Sequence, residues 1–280
     1  MKRISNRLFG FFFLAFLVGV GGLVWQFHQG GHFHFDVQSI DEQRTITQQV
    51  NNIELKTETA DVVFSAAQES SISVRLVGEV SAALKPTLQT EVTPDGILRI
   101  TVGEPKQGGF FFSPNTRLEL QVTIPAAAYQ DVQLATVTGD IRTGSLQAKR
   151  LTIQTGTGNV KLNGFEGDQL AVSTGTGDMD LVGIRGDVNI DSDTGNVQDL
   201  VLAELTGNVD ITTDTGDVQI KVEKKPAAVR LDLKSDTGEV DAEWPGLSYS
   251  ERTDHRLDGS NGSDGPRILV RSATGDIRIQ

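Results

Sequence analysis

The triplets Asp193-Thr194-Gly195, Asp214-Thr215-Gly216 and Asp236-Thr237-Gly238 carry the Asp-Thr-Gly pattern of acid proteolysis. That chemistry needs two carboxylates sharing one proton on loops brought face to face. A Ser or Thr usually follows the triplet, whereas Asn196, Asp217 and Glu239 follow here. Three copies in a repeating register would also project side by side rather than converge. The triplets therefore read as turns. Gly156-Thr157-Gly158 and Gly175-Thr176-Gly177 suggest a phosphate-binding loop, but Lys161 and Asp180 occupy the third-glycine position. No helical pattern follows to offer its N-terminus to a phosphate.

Calcium is the more serious candidate chemistry. Asp178, Asp193, Asp214, Asp217, Asp236, Glu239 and Asp276 recur at turns. Stacked carboxylates about 5 Å apart repel unless a cation or solvent screens them. The pattern resembles calcium-binding nonapeptide β-rolls, yet aligning Thr174 to Val182 on that repeat places Met179 where the ligand aspartate belongs. One repeat earlier Val160 falls there, so the key ligand is apolar. His28, His32 and His34 cluster beside Gly30 and Gly31, which read as a polar stalk rather than a metal site. A polysaccharide-cleaving β-helix would want aromatic sugar platforms, and the chain has two Trp and two Tyr. No residue is assigned as catalytic, cofactor-binding or metal-ligating.

Composition narrows the classes further. The 280 residues are 38% hydrophobic and 22% charged, a globular balance, with 30 Gly and no Cys. Disulfides, thiolate metal sites, a Cys nucleophile and a lipid-modified cysteine are excluded. The net charge is −12, and Lys2, Arg3 and Arg7 are the only charges before residue 28, so the remainder is more acidic still. Such acidity argues against nucleic acid and anionic headgroups as partners.

Residues 8–27 read LFGFFFLAFLVGVGGLVWQF, uncharged, with Gln26 the only polar side chain. About twenty such residues span a bilayer core of roughly 30 Å as a helix. Basic residues lie only on the N-terminal flank, which predicts residues 1–7 cytoplasmic and the rest outside. A cleaved signal peptide fits less well, since the apolar run exceeds the usual core and lacks a typical cleavage site. Residues 28–45 then form an extracellular stalk.

The rest repeats. Thr138-Gly139-Asp140-Ile141 recurs as Thr157-Gly158-Asn159-Val160, Thr176-Gly177-Asp178-Met179, Thr194-Gly195-Asn196-Val197, Thr215-Gly216-Asp217-Val218, Thr237-Gly238-Glu239-Val240 and Thr274-Gly275-Asp276-Ile277. The glycine steps are 19, 19, 18, 21, 22 and 37, the last containing an insertion. Period-2 apolar residues flank each phrase, such as Leu170 and Val172 before and Met179 and Leu181 after. A second turn falls at Gly167-Asp168, Gly186-Asp187 and Gly207-Asn208. The near-constant unit predicts coils of two short strands and two turns, stacked in parallel with the threonines in a ladder. Regular coils occupy 131–280. Degenerate coils occupy 46–130, where Thr59-Ala60-Asp61 is a worn phrase. Gly103 to Asn115, with Phe110, Phe111 and Phe112, reads as a loop that either caps the solenoid or offers an apolar contact. Ser248 to Pro266 reads as a polar surface loop.

On these phrases, residues 46–280 resemble the bacterial putative-adhesin family of β-strand-repeat proteins, a domain of unknown function. The resemblance implies a non-catalytic module, often held behind one membrane helix, with one member serving in a Gram-positive envelope-stress operon. The expectation is an all-β, single-stranded β-solenoid (β-helix- or β-roll-like) preceded by one transmembrane α-helix. Its localisation is the cell membrane, single-pass, with the C-terminal domain extracellular. Its partners are the membrane through residues 8–27 and a protein, glycan or cell-wall ligand, with no cofactor. The alternatives are an extracellular carbohydrate-active β-helix enzyme and a calcium-binding β-roll.

Overall fold

In a computed structural model of the protein, the described residues are 37–81, 86–103 and 117–280. The chain divides into two compact units, Met1–Val37 and Gln38–Gln280, and the repeats belong to the second. The expected helix over 8–27, the histidines at 28, 32 and 34, and Phe110, Phe111 and Phe112 lie outside the described residues. Among the described residues, no helix is long and apolar enough to cross a membrane.

Alternation of buried and exposed side chains generates a wholly β architecture among the described residues. The strands are β1 (Val37–Ile46), β2 (Asn52–Thr57), β3 (Asp61–Ala67), β4 (Ile72–Ser81), β5 (Thr87–Val92), β6 (Ile97–Gly103) and β7 (Arg117–Pro125). There follow β8 (Tyr129–Thr138), β9 (Ile141–Thr143), β10 (Leu146–Thr157), β11 (Val160–Thr176), β12 (Met179–Thr194), β13 (Val197–Leu202) and β14 (Val209–Thr215). The last are β15 (Val218–Val222), β16 (Val229–Thr237), β17 (Val240–Ala242), β18 (Ser248–Arg252), β19 (Arg256–Asn261), β20 (Arg267–Thr274) and β21 (Ile277–Ile279). Leu118, Leu120, Val122 and Ile124 of β7 are all buried between partly exposed neighbours, which is how a strand with one inward face reads.

The coils from β9 to β13 have three sides rather than the two expected. In β11 the chain runs along one face at Val160–Leu162, bends at Gly164, crosses a short side at Phe165 and returns along the opposite face through Leu170 and Val172. On one face, Leu55, Leu134, Ile153, Val172, Ile190, Ile211, Val270 and Leu233 form one buried row in parallel register. On the other, Val62, Ile141, Val160, Met179, Val197, Val218, Ile277 and Val240 form a second. Leu146, Phe165, Ile184 and Leu202 line the short side. Aliphatic side chains thus stack on their own kind from coil to coil, and non-directional apolar burial becomes a one-dimensional array.

Chain order and stack order differ at both ends. The coil β2–β3 lies between β6–β7 and β8–β9. The coil β20–β21 lies between β14–β15 and β16–β17. Beyond these, antiparallel strands replace the parallel stack: β4 on β7, β5 on β6 and β19 on β16. Open coil ends would leave rows of unpaired N–H and C=O groups, and these strands take them up. Two expectations change accordingly. Ser248 to Pro266 is not a free loop, because β18 and β19 form an antiparallel hairpin within it. Residues 46–130 contain two coils together with the antiparallel strands β4 and β5, not coils alone. The segment expected as stalk, 28–45, overlaps β1, which pairs with β4.

Candidate functional site: the stacked turns and the groove beside them

The Thr-Gly-Asp/Asn turns fall on one edge. In stack order their glycines run Gly139, Gly158, Gly177, Gly195, Gly216, Gly275 and Gly238, preceded by Ala60. Each glycine N–H from Gly139 to Gly275 donates to the carbonyl of the next coil's threonine, as Gly158 does to Thr176 O (2.8 Å) and Gly275 to Thr237 O (2.9 Å). At Gly158, φ is +151°, and a Cβ there would collide with the carbonyl of Gly139. The same obstruction recurs at the other glycines of the row, so the residue is demanded by the neighbouring coil as well as by its own φ.

The residue after each glycine makes a second ladder. Asp61 Oδ1 accepts the amide N–H of Asp140 (2.8 Å), Asp140 that of Asn159 (2.9 Å), and Asn159 that of Asp178 (2.9 Å). Asp178 accepts from Asn196 (2.8 Å), Asn196 from Asp217 (2.9 Å), Asp217 from Asp276 (2.8 Å) and Asp276 from Glu239 (2.9 Å). A short side chain ending in an acceptor oxygen is required, which explains why Asp and Asn interchange. Neutral Asn159 and Asn196 separate three of the acids. Where acids adjoin, arginines approach: Arg142 Nη2 is 2.6 Å from Asp140 Oδ2, and Arg278 Nη2 is 3.3 Å from Asp276 Oδ2. A corresponding ladder at the second turn runs from Asp187 Oδ1 to the Asn208 N–H (2.7 Å) and from Asn208 Oδ1 to the Arg267 N–H (3.0 Å).

The acidic turn residues therefore separate into two rows. Asp178, Asp217, Asp276 and Glu239 belong to the ladder. Asp193, Asp214 and Asp236 project outward two residues before the glycines, and Ala273 stands in register between Asp214 and Asp236. The Asp-Thr-Gly triplets thus run side by side. Among the described residues, no cluster of three His, Asp or Glu could hold a metal ion. Lowered carboxyl pKa values trace to ion pairs: Asp41 to Arg75, Glu204 to Lys224, Asp232 to Arg271 and Asp236 to Lys234. His255 sits apart, its Nδ1 2.6 Å from Gly238 O.

The threonine ladder is present, with Thr157, Thr176, Thr194, Thr215, Thr274 and Thr237 in register and exposed. A second hydroxyl row, two residues earlier, is buried: Thr57, Thr136, Thr155, Thr174, Ser192, Thr213, Ser272 and Ser235. Thr155 Oγ1 donates to Gly139 O (3.2 Å) and Ser235 Oγ to Gly275 O (2.8 Å). The hydroxyls of Thr174, Ser192, Thr213 and Ser272 are buried without a partner. Sequence reasoning missed this row, although the recurrence of Thr or Ser before each phrase carries it.

Beside the turns, where β6, β2, β8 and β10 meet, lies an open groove of about 430 Å³. Val102, Gly103, Ala135, Val137, Gly156 and the stem of Lys56 are among its lining. Val137, 63% exposed, is the most exposed large apolar side chain among the described residues.

The family model of Toastrack DUF4097 matches residues 50–280. The chain belongs to the Toastrack DUF4097 family. This Toastrack chain is also similar to solved structures. One is a "putative cell adhesion protein" from Clostridium sporogenes ATCC 15579, 17% identical, with 86% of this chain and 99% of that chain covered and a TM-score of 0.40. Another is a "putative adhesin" from Bacteroides fragilis NCTC 9343, 16% identical, with 87% and 97% covered and a TM-score of 0.46. A third is a "putative lipid binding protein" from Parabacteroides distasonis ATCC 8503, 14% identical, with 86% and 96% covered and a TM-score of 0.28. Comparison with curated proteins gave no match.

Proposed function

We propose that this Toastrack chain is a non-catalytic interaction module displayed outside the cell and held there by a membrane helix over residues 8–27. One observation carries the reading: functional-looking side chains stand in parallel rows, one per coil, and face outward instead of converging. Acid–base or nucleophilic chemistry needs groups aimed at one reacting atom, whereas parallel rows offer a repeated surface to a protein, a glycan or a cell-wall polymer. The ladder also counts against the calcium-binding β-roll, because its oxygens already accept backbone N–H groups and its adjoining acids meet arginines. The uncharged run at 8–27 and its basic N-terminal flank support the topology.

Protease added to intact protoplasts should remove residues 46–280 of the full-length chain while a cytoplasmic marker survives. Protection of that domain would overturn the display. Release of new sugar ends from wall polysaccharide by the full-length chain would overturn the non-catalytic role.

A further inference from the structure

We propose that the pocket beside the β18–β19 hairpin binds an acidic sugar unit, with Arg230 and Arg267 holding its oxyanion. This rests on the interaction-module reading above and names a ligand class for it. The pocket holds about 410 Å³, within the range of roughly 300–1,000 Å³ usual for small-molecule sites. It lies where the repeat is broken. The hairpin inserted between β17 and β20, with the loop 262–265, supplies one wall, and β16 and β20 supply the other.

Two arginines in register decide the chemistry. Arg230 of β16 and Arg267 of β20 are direct partners across parallel strands, and both line the pocket. Like charges placed opposite each other destabilise a sheet. Elsewhere in the same outward row the neighbours are complementary: Arg150 Nη1 is 3.0 Å from Asp131 Oδ1, and Arg150 Nε donates to Gln169 Oε1 (3.3 Å). Arg271, Lys234 and Arg256 also adjoin, but Asp232, Asp236 and Glu251 meet them at 2.6–2.8 Å. The Arg230 guanidinium has no hydrogen bond or ion pair among the described residues; Asp232 feels it only at longer range. Arg267 Nη2 stands 3.8 Å from Asp210 Oδ2, a loose pair. An oxyanion between the two guanidiniums removes their repulsion and accepts N–H groups from both.

The remaining lining suits hydroxyls. Asp258 and Asp264 border the same space, and neither forms an ion pair among the described residues. Carboxylates accept hydrogen bonds from hydroxyls, and the Ser260 hydroxyl can donate or accept. A bare anion would meet the two carboxylates unfavourably, whereas a ligand with hydroxyls beside its negative group uses both halves of the pocket. A uronate carboxylate and a sugar phosphate share that chemistry. The acidity of the domain repels polyanions at long range and leaves recognition to this local pair.

Calorimetric titration of the full-length chain in detergent tests this. The probes are oligogalacturonate, glucose 6-phosphate, a neutral malto-oligosaccharide and inorganic phosphate. At least one acidic sugar should bind about tenfold or more tighter than the neutral oligosaccharide and inorganic phosphate, and which one binds separates carboxylate from phosphate. Added salt should weaken that binding. Arg230→Gln removes no bond from the free protein, so its Tm should be unchanged while affinity falls about tenfold or more. Absence of binding by both acidic sugars, equal binding of the neutral oligosaccharide or of inorganic phosphate, or full affinity in Arg230→Gln would overturn the proposal and leave the interaction-module reading standing. A Tm lowered by Arg230→Gln would give that residue a structural role instead and also overturn it. Shortened oligogalacturonate products would overturn the interaction-module reading itself.

Discussion

Val172→Asp, alone or with Val188→Asp, should abolish the cooperative thermal transition of the repeat domain. Val172 is 1% exposed and lies in register with Ile153 on one side and Ile190 on the other. Val188 is equally enclosed, between Leu170 and Val209. A carboxylate there finds only aliphatic neighbours along its row, and burying an unpaired charge costs several kcal/mol even after relaxation. Domain stabilities are about 5–15 kcal/mol, so one such charge consumes much of the margin and two exceed it. Circular dichroism read against temperature gives the result. Gln133→Asp, on the exposed side of β8, serves as the control and should leave the transition in place. A Val172→Asp, Val188→Asp protein that melts like the native one would refute the inward assignment of these strands.

Gly177→Ala should be strongly damaging, although it removes nothing and adds one methyl group. At Gly177 φ is +148°, and the new Cβ would drive into the carbonyl of Gly158 in the adjoining coil. Strained backbone alone costs of order 1–3 kcal/mol, and here the obstacle is main chain that cannot rotate away. A total of about 3 kcal/mol or more is expected, lowering Tm by roughly 6–12 °C. At Gly144 the nearest atom to an added Cβ is Ser65 Cβ at 3.8 Å, an ordinary contact, so Gly144→Ala should be nearly neutral. Urea titration of the two variants decides the matter. Equal midpoints would mean that the glycine row is not sterically enforced.

The contrast between these glycines shows what was legible in the sequence. The phrase Thr-Gly-Asp/Asn-apolar recurs because three constraints fall on consecutive residues, so its spacing betrayed the coil, the parallel register and the exposed threonine ladder. Thr59-Ala60-Asp61 was legible for the same reason: Asp61 still supplies the acceptor, although Ala60 replaces the glycine. The reversed stacking at both ends was not legible. Nothing in the phrases around Gly238 and Gly275 states that Gly275 lies between Gly216 and Gly238, because the interior rungs all make the same bonds with their neighbours. The hairpin β18–β19 was hidden by its polar composition. All five residues of β18 are exposed, so no apolar alternation marks it. The acidic turn residues looked like one population and are two, since the repeat period gives spacing but not the direction in which oxygen atoms point.

Native-state hydrogen exchange at the turn amides is the most direct test of the central claim, that the Thr-Gly-Asp/Asn phrase is a stacking device rather than a chemical site. The residues Asn159, Asp178, Asn196 and Asp217 sit at a solvent-facing edge, yet each amide N–H is bonded at 2.8–2.9 Å to a side-chain oxygen of the preceding coil. Local opening should expose them only when neighbouring coils separate. The predicted result is protection comparable to that of Val172 and Ile190 in the core, unchanged by a calcium chelator. Exchange of these four amides at unprotected rates, with the core amides still slow, would contradict it.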